Sequence, residues 1–223
     1  MESLLILLPS VIYWCINEKK GLGLSIAVLL SLWIVFFLEY HNINLPFGYA
    51  AGWIIASVII IIYILADKKI EALLAKGGFR AGMIAAAAVS FLLIIRLPDE
   101  KLLIPSGILL GMGAGYCLNF KYVGFKSKIL LERTGIAKYL VLLVRILLGS
   151  TGFMLILAAS GKIIPANSSN VNLYYFICYT LSGLWISAAA PWIFIRLRLA
   201  GKALPARPET ANKDTSPEKT NDA

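Results

Sequence analysis

The chain has 223 residues, 59% of them hydrophobic and 15% charged, with a formal net charge of +9 and a mean hydropathy of +0.80. A soluble domain of this size cannot bury so much apolar surface, which excludes a water-soluble enzyme and implies lipid as the solvent. The excess of Lys and Arg does not indicate nucleic acid, because the cations are spaced between hydrophobic runs instead of gathered on one polar face.

Apolar runs fall at about 3–16, 22–38, 46–66, 80–96, 102–120, 137–160 and 171–196. They predict an all-α, polytopic transmembrane bundle of about seven spans. The first run is short for a hydrocarbon layer of about 30 Å. It opens with Glu2 rather than basic residues and shows no small-residue cleavage pattern before Lys19, so it reads as a retained span and not a signal peptide. Residues 1–202 form a single membrane domain. Beyond them, residues 203–223 turn to Pro, Thr, Glu, Lys, Asn and Asp, a composition that cannot offset its ordering entropy, and are predicted to be a disordered cytoplasmic tail.

The cations set an orientation. Lys19 and Lys20, then Lys68, Lys69, Lys76 and Arg80, then Lys121, Lys126, Lys128, Arg133 and Lys138, and finally the group from Arg196 onward alternate with segments that hold only Lys101 and Lys162, with Arg96 at a span edge. The positive-inside rule places the basic segments in the cytoplasm and the N-terminus outside, with an odd number of spans. These clusters read as topological signals, with specific lipid binding as the alternative. Ile70, Leu73 and Leu74 among the charges of 67–80 suit a short helix lying on the interface.

Small residues mark helix contacts. Gly107, Gly111 and Gly115 recur every four residues in the fifth run, and Gly78, Gly82, Ala86 and Ser90 do so in the fourth. Such stripes let backbones approach closely, and these two helices are expected to pack on each other. Trp14, Trp53, Tyr139, Tyr174, Tyr175 and Trp192 near span ends fit an aromatic belt.

Ionisable residues at membrane depth are few. Arg145 stands about two turns inside its run from Lys138; it is either an anchor that snorkels to the interface or a buried contact, structural or to a lipid headgroup. The outward segments hold Glu39, His41, Asn42 and Asn44, and Arg96, Asp99, Glu100 and Lys101, which are expected to meet at one mouth of the bundle. Cys15, Cys117 and Cys178 are too scattered for a disulfide framework or a metal site. No cofactor or metal is called for, and Walker, HExxH and EF-hand patterns are absent.

The stretches PSVIYWCINEKKGLGLSIAVLLS, GILLGMGAGYCLNFKYVGF and LSGLWISAAAPWIFIRL resemble membrane-bound bacterial members of the type 2 phosphatidic acid phosphatase (PAP2) superfamily. The resemblance implies a PAP2-like core in a bacterial inner membrane. It also implies lipid phosphates or polyprenyl diphosphates as substrates, hydrolysed without metal through KxxxxxxRP, PSGH and SRxxxxxHxxxD. Such a reaction needs cations around the phosphate, a histidine nucleophile and a second histidine as acid.

Aligned by position, PSGH falls on Pro46, Phe47, Gly48 and Tyr49, so tyrosine replaces the proton donor. The first motif has no counterpart in FFLEYHNINLP. Of the third, Arg96 is the one remnant, with Leu102 and Ser106 at the histidine and aspartate positions. The resemblance therefore implies the fold and argues against the activity. The expectation is a catalytically inactive, phosphatase-like membrane protein that contacts a lipid phosphate through His41, Tyr49, Arg96 and Lys101, with no nucleic acid and no assigned protein partner. Two alternatives stay open. One is an active phosphatase with rearranged motifs, His41 as nucleophile and Asp99 or Glu100 as acid; the other is a non-enzymatic scaffold or transporter component.

Overall fold

The computed structural model describes residues 2–41, 49–94, 100–127, 136–163 and 171–202. Helix α1 (Glu2–Cys15) carries Pro9 within it and meets α2 (Glu18–Tyr40) at a tight corner. Asn17 makes that corner: its extended backbone ends one helix, and its side chain accepts from the Lys19 and Lys20 amides at 3.0 and 3.2 Å to start the next. Gly21 lies so close to α1 that a Cβ there would overlap the Tyr13 backbone.

Helix α3 (Tyr49–Ile94) is followed by α4 (Glu100–Leu118), which runs into a π turn at Asn119–Val123 and then into the two-residue strand β1 (Phe125–Lys126). Helices α5 (Ile136–Ile163) and α6 (Val171–Leu184) come next; α6 continues through a second π turn, Trp185–Ala189, into α7 (Ala190–Arg196). Strand β2 (Gly201–Lys202) pairs antiparallel with β1, Phe125 opposite Lys202 and Lys126 opposite Gly201.

Among the described residues four helices are long and apolar enough to cross a bilayer, at 18–40, 101–123, 136–159 and 171–196, with a shorter apolar stretch at 81–94. An all-α membrane protein is therefore present, while the count of seven spans is not confirmed. α1 has 14 residues, about 21 Å of helix against a hydrocarbon layer of about 30 Å. The segments expected at 46–66 and 80–96, with the interfacial piece between them, belong to one 46-residue helical run. Helical hydrogen bonds close within the backbone and do not require an apolar sequence, so the polar stretch at 67–80 does not interrupt them.

That run cannot be straight. Phe79 stacks edge-on against Tyr122 at the end of α4, whereas Glu39 at the end of α2 pairs with Lys101 at the start of α4, so Phe79 and Glu39 lie at opposite ends of the bundle. A straight α3 would carry Tyr49 about 45 Å beyond Phe79, away from His41. The seven residues joining His41 to Tyr49 reach at most about 30 Å. The helix must therefore bend between Tyr49 and Phe79, a stretch without proline that contains the Gly77–Gly78 pair.

Helix α4 is the centre of the bundle, with 67% of its spanning window buried against 22% for α5. Its Gly107, Gly111 and Gly115 face α6 and the π turn after it: an added Cβ would meet Phe176 and Tyr179, Thr180, and Ser187 respectively. Gly183 returns the contact from α6 onto the Ile108 carbonyl. The α4 stripe therefore faces α6, which supplies a matching small residue at the same height, while the expected packing of the 80–96 segment on α4 is also present. α3 meets another face of α4, where Gly113 lies against Ala86. Gly82 is buried; Gly78 lies in α3, with its surroundings outside the described residues.

Candidate functional site

The two π turns pack against each other. A π turn shifts the backbone hydrogen-bond register, and here the carbonyls of Ile186 and Ser187 accept from other elements. Trp14 Nε1 donates to the Ile186 carbonyl at 2.8 Å, and Tyr13 Oη donates to the Ser187 carbonyl at 3.0 Å. Asn119, opening the first π turn, donates through Nδ2 to Tyr13 Oη at 2.8 Å and to the Ser187 carbonyl at 3.1 Å, while its Oδ1 accepts from the Phe125 amide at 3.0 Å. The side chains of Tyr13, Trp14 and Asn119 are buried. Trp14, Phe125 and Phe194 close apolar contacts around them. Gly124, with φ 67°, lets the chain leave the turn toward β1.

A second layer lies beside the first. Arg145, 1% exposed, donates through Nε and Nη2 to the Leu199 carbonyl and through Nη1 to the carbonyls of Trp14 at 2.9 Å and Ser127 at 3.3 Å. No carboxylate takes part in these bonds. The guanidinium's planar fork suits it to gathering three separate backbone segments. Arg145 is thus a buried structural contact rather than a snorkelling anchor. Glu18 closes the same end, accepting from Ser127 Oγ at 2.6 Å, from the Ser127 amide at 3.3 Å and from Lys126 Nζ at 3.2 Å.

The α1–α2 corner, the exit from α4 and the exit from α7 are therefore fastened together. These are the three stretches that carry the family resemblance. Sequence reasoning singled out Arg145 here, gave Trp14 a place in an aromatic belt that its full burial contradicts, and passed over Tyr13, Glu18, Asn119 and Ser187. The available signal was polarity out of place, above all a lone Asn119 following the glycine-striped run.

The residues expected at the outward mouth are arranged more loosely. His41 caps the end of α2 and is exposed, its ring 4.6 Å from Phe37 and 5.3 Å from Tyr40. Lys101 is also exposed and lies 3.3 Å from Glu39 Oε1. The contact brings the ends of α2 and α4 to one mouth, as expected. Tyr49 begins α3, but its side chain lies outside the described residues, as does Arg96 altogether. Among the described residues no three His, Cys, Asp or Glu side chains converge as a metal site would need. A groove of about 460 Å³ runs along α5 between Val144 and Leu155 beside Trp185, away from this mouth and lined by apolar groups.

Comparison with protein families matches residues 104–202 to the PAP2 superfamily phosphatase, transmembrane extension. The match begins inside α4 and ends at β2, so it covers Asn119, Arg145 and Ser187, while Tyr13, Trp14 and Glu18 reach into it from outside. No curated protein and no solved structure matches the chain. The matched segment supplies the centre of the bundle and two of the three stretches that bore the resemblance, and over this segment the chain is similar to the PAP2 transmembrane extension.

Proposed function

We propose that this chain is a PAP2-like protein of the bacterial inner membrane that does not hydrolyse phosphate esters and whose polar residues hold a membrane bundle together. The observation that carries the proposal is the state of its sole histidine. Phosphohistidine chemistry needs a nucleophilic imidazole facing a cage of cations and a second group to protonate the leaving oxygen. His41 is exposed at a helix end with two aromatic rings as its neighbours, and Lys101, at the same mouth, pairs with Glu39. The buried side chains of Tyr13, Trp14, Asn119 and Arg145 are engaged with backbone carbonyls and with one another at the other end of the bundle.

In this proposal the basic end faces the cytoplasm and the mouth holding His41 and Lys101 faces outward, where a lipid phosphate competes with Glu39 for Lys101. The clustering of Lys20, Lys121, Lys126 and Arg196 toward one end supports that orientation. The test is phosphate release by the purified protein from phosphatidic acid, phosphatidylglycerol phosphate and undecaprenyl diphosphate. No turnover above the detergent blank is expected; turnover that vanishes in His41→Ala would establish the active alternative.

A further inference from the structure

At the end of the bundle away from His41, cations are held against aromatic rings. Lys121 Nζ lies 4.8 Å from the Phe79 ring centroid and 5.0 Å from that of Tyr122, so one ammonium is shared by rings from α3 and from the π turn. The Arg196 guanidinium lies 4.8 Å over Trp192. The rings are themselves out in the surroundings: Tyr122 is 63% exposed and Trp192 48%, with Phe120 beside them at 80%.

Lys121 and Arg196 stand at the ends of the 101–123 and 171–196 spans, the depth at which apolar helix gives way to headgroups. α7 packs on the turn that carries Lys121, and Lys20 and Arg198 are exposed at the same end. Among the described side chains Glu18 is the one carboxylate there, and Ser127 and Lys126 occupy it. A positive rim whose cations rest on rings keeps its remaining donors directed outward, and exposed aromatic rings at this depth can lie between glycerol and acyl carbons.

We propose that this rim, built from Lys121 with Phe79 and Tyr122 and from Arg196 with Trp192, binds the phosphate headgroups of anionic phospholipids in its own leaflet. The positive-inside rule alone requires cations at this end but no preference among lipids. The proposal adds that preference, and it concerns the end of the bundle opposite the outward mouth.

The experiment is native mass spectrometry of the full chain released from detergent with equimolar dioleoylphosphatidylglycerol and dioleoylphosphatidylcholine. Retention of the phosphatidylglycerol at least threefold over the phosphatidylcholine is expected. Lys121→Gln with Arg196→Gln should bring the ratio near one, Lys121→Arg with Arg196→Lys should keep it, and Lys101→Gln at the other mouth should leave it unchanged. Equal retention of the two lipids by the native chain, or a preference that survives in the glutamine pair, would overturn the proposal. A glutamine pair that fails to fold leaves the native ratio and the charge-preserving pair to decide, since loss of preference in the latter also counts against it.

Discussion

Tyr13 and Asn119, 106 residues apart, are joined by a 2.8 Å hydrogen bond in the interior of the bundle. The bond ties the end of a 14-residue helix, too short to be a good span by itself, to the π turn that ends the central helix. Both residues also reach the Ser187 carbonyl, so one acceptor on a third element gathers the two. Away from water such groups have few alternative partners, which is why the arrangement constrains the backbone paths around it.

Asn119→Ala removes two donors and one acceptor at once and leaves the Phe125 amide unpaired. A loss of about 2 kcal/mol is expected, at the low end for three bonds because interhelical hydrogen bonds in membranes average below ~1 kcal/mol each. Tyr13→Phe should cost about 1 kcal/mol. The double variant should fall short of the sum, since the residues share a bond. Thermal unfolding in detergent, followed by helicity, measures all three.

Gly111→Val should be among the most damaging single changes in the spans. Its side chain would enter the space held by the Thr180 carbonyl and the Leu184 amide, which are backbone and cannot rotate away. Overpacking of this kind costs about 1–3 kcal/mol, and the expected result is a lower unfolding midpoint with α4 and α6 no longer crosslinkable at close-contact positions.

Arg145→Met keeps volume but strips the carbonyls of Trp14, Ser127 and Leu199 of their donors. A loss of about 2–3 kcal/mol is expected, together with faster amide hydrogen exchange across residues 197–202, whose anchor on α5 is this side chain. Arg145→Lys should rescue only part of either effect, because an ammonium cannot reproduce the forked geometry.

Glu39→Gln tests the mouth that holds His41 and Lys101 separately. The Lys101 pair is exposed on both sides, so stability should change by less than about 0.5 kcal/mol. With the carboxylate gone, retention of phosphatidic acid by the purified protein should rise if Lys101 is the lipid-phosphate contact; unchanged retention would remove Lys101 from that role.

Hydropathy made the spans at 18–40, 101–123, 136–159 and 171–196 legible, because a long apolar run has one economical solution in a bilayer. Charge alternation likewise anticipated that Glu39 and Lys101 share one end. The helical continuity of 49–94 was not legible, since its polar stretch resembles a loop in composition while the backbone needs no apolar side chains to stay helical. Nor were the π turns: a register shift of one residue has no signature in Trp185–Ala189. The glycine stripe showed that α4 packs closely but not against what, because small residues permit approach without naming a partner. Arg145 stood out, yet its acceptors are carbonyls of Trp14, Ser127 and Leu199, which any residue would have provided. The stretch around Tyr13 and Trp14 was legible as a resemblance, while its meeting with Asn119 belongs to the third dimension.

The measurement that bears most directly on the architecture is sided labelling of single cysteines in sealed vesicles, with Cys15, Cys117 and Cys178 replaced by alanine. His41→Cys should react with a membrane-impermeant maleimide from one side only, and Lys121→Cys from the other. Ala72→Cys, in the polar stretch of α3, should share the side of Lys121. Reactivity of positions 41 and 121 from the same face would contradict a bundle whose fastened, cation-rich end and whose histidine lie on opposite sides of the bilayer.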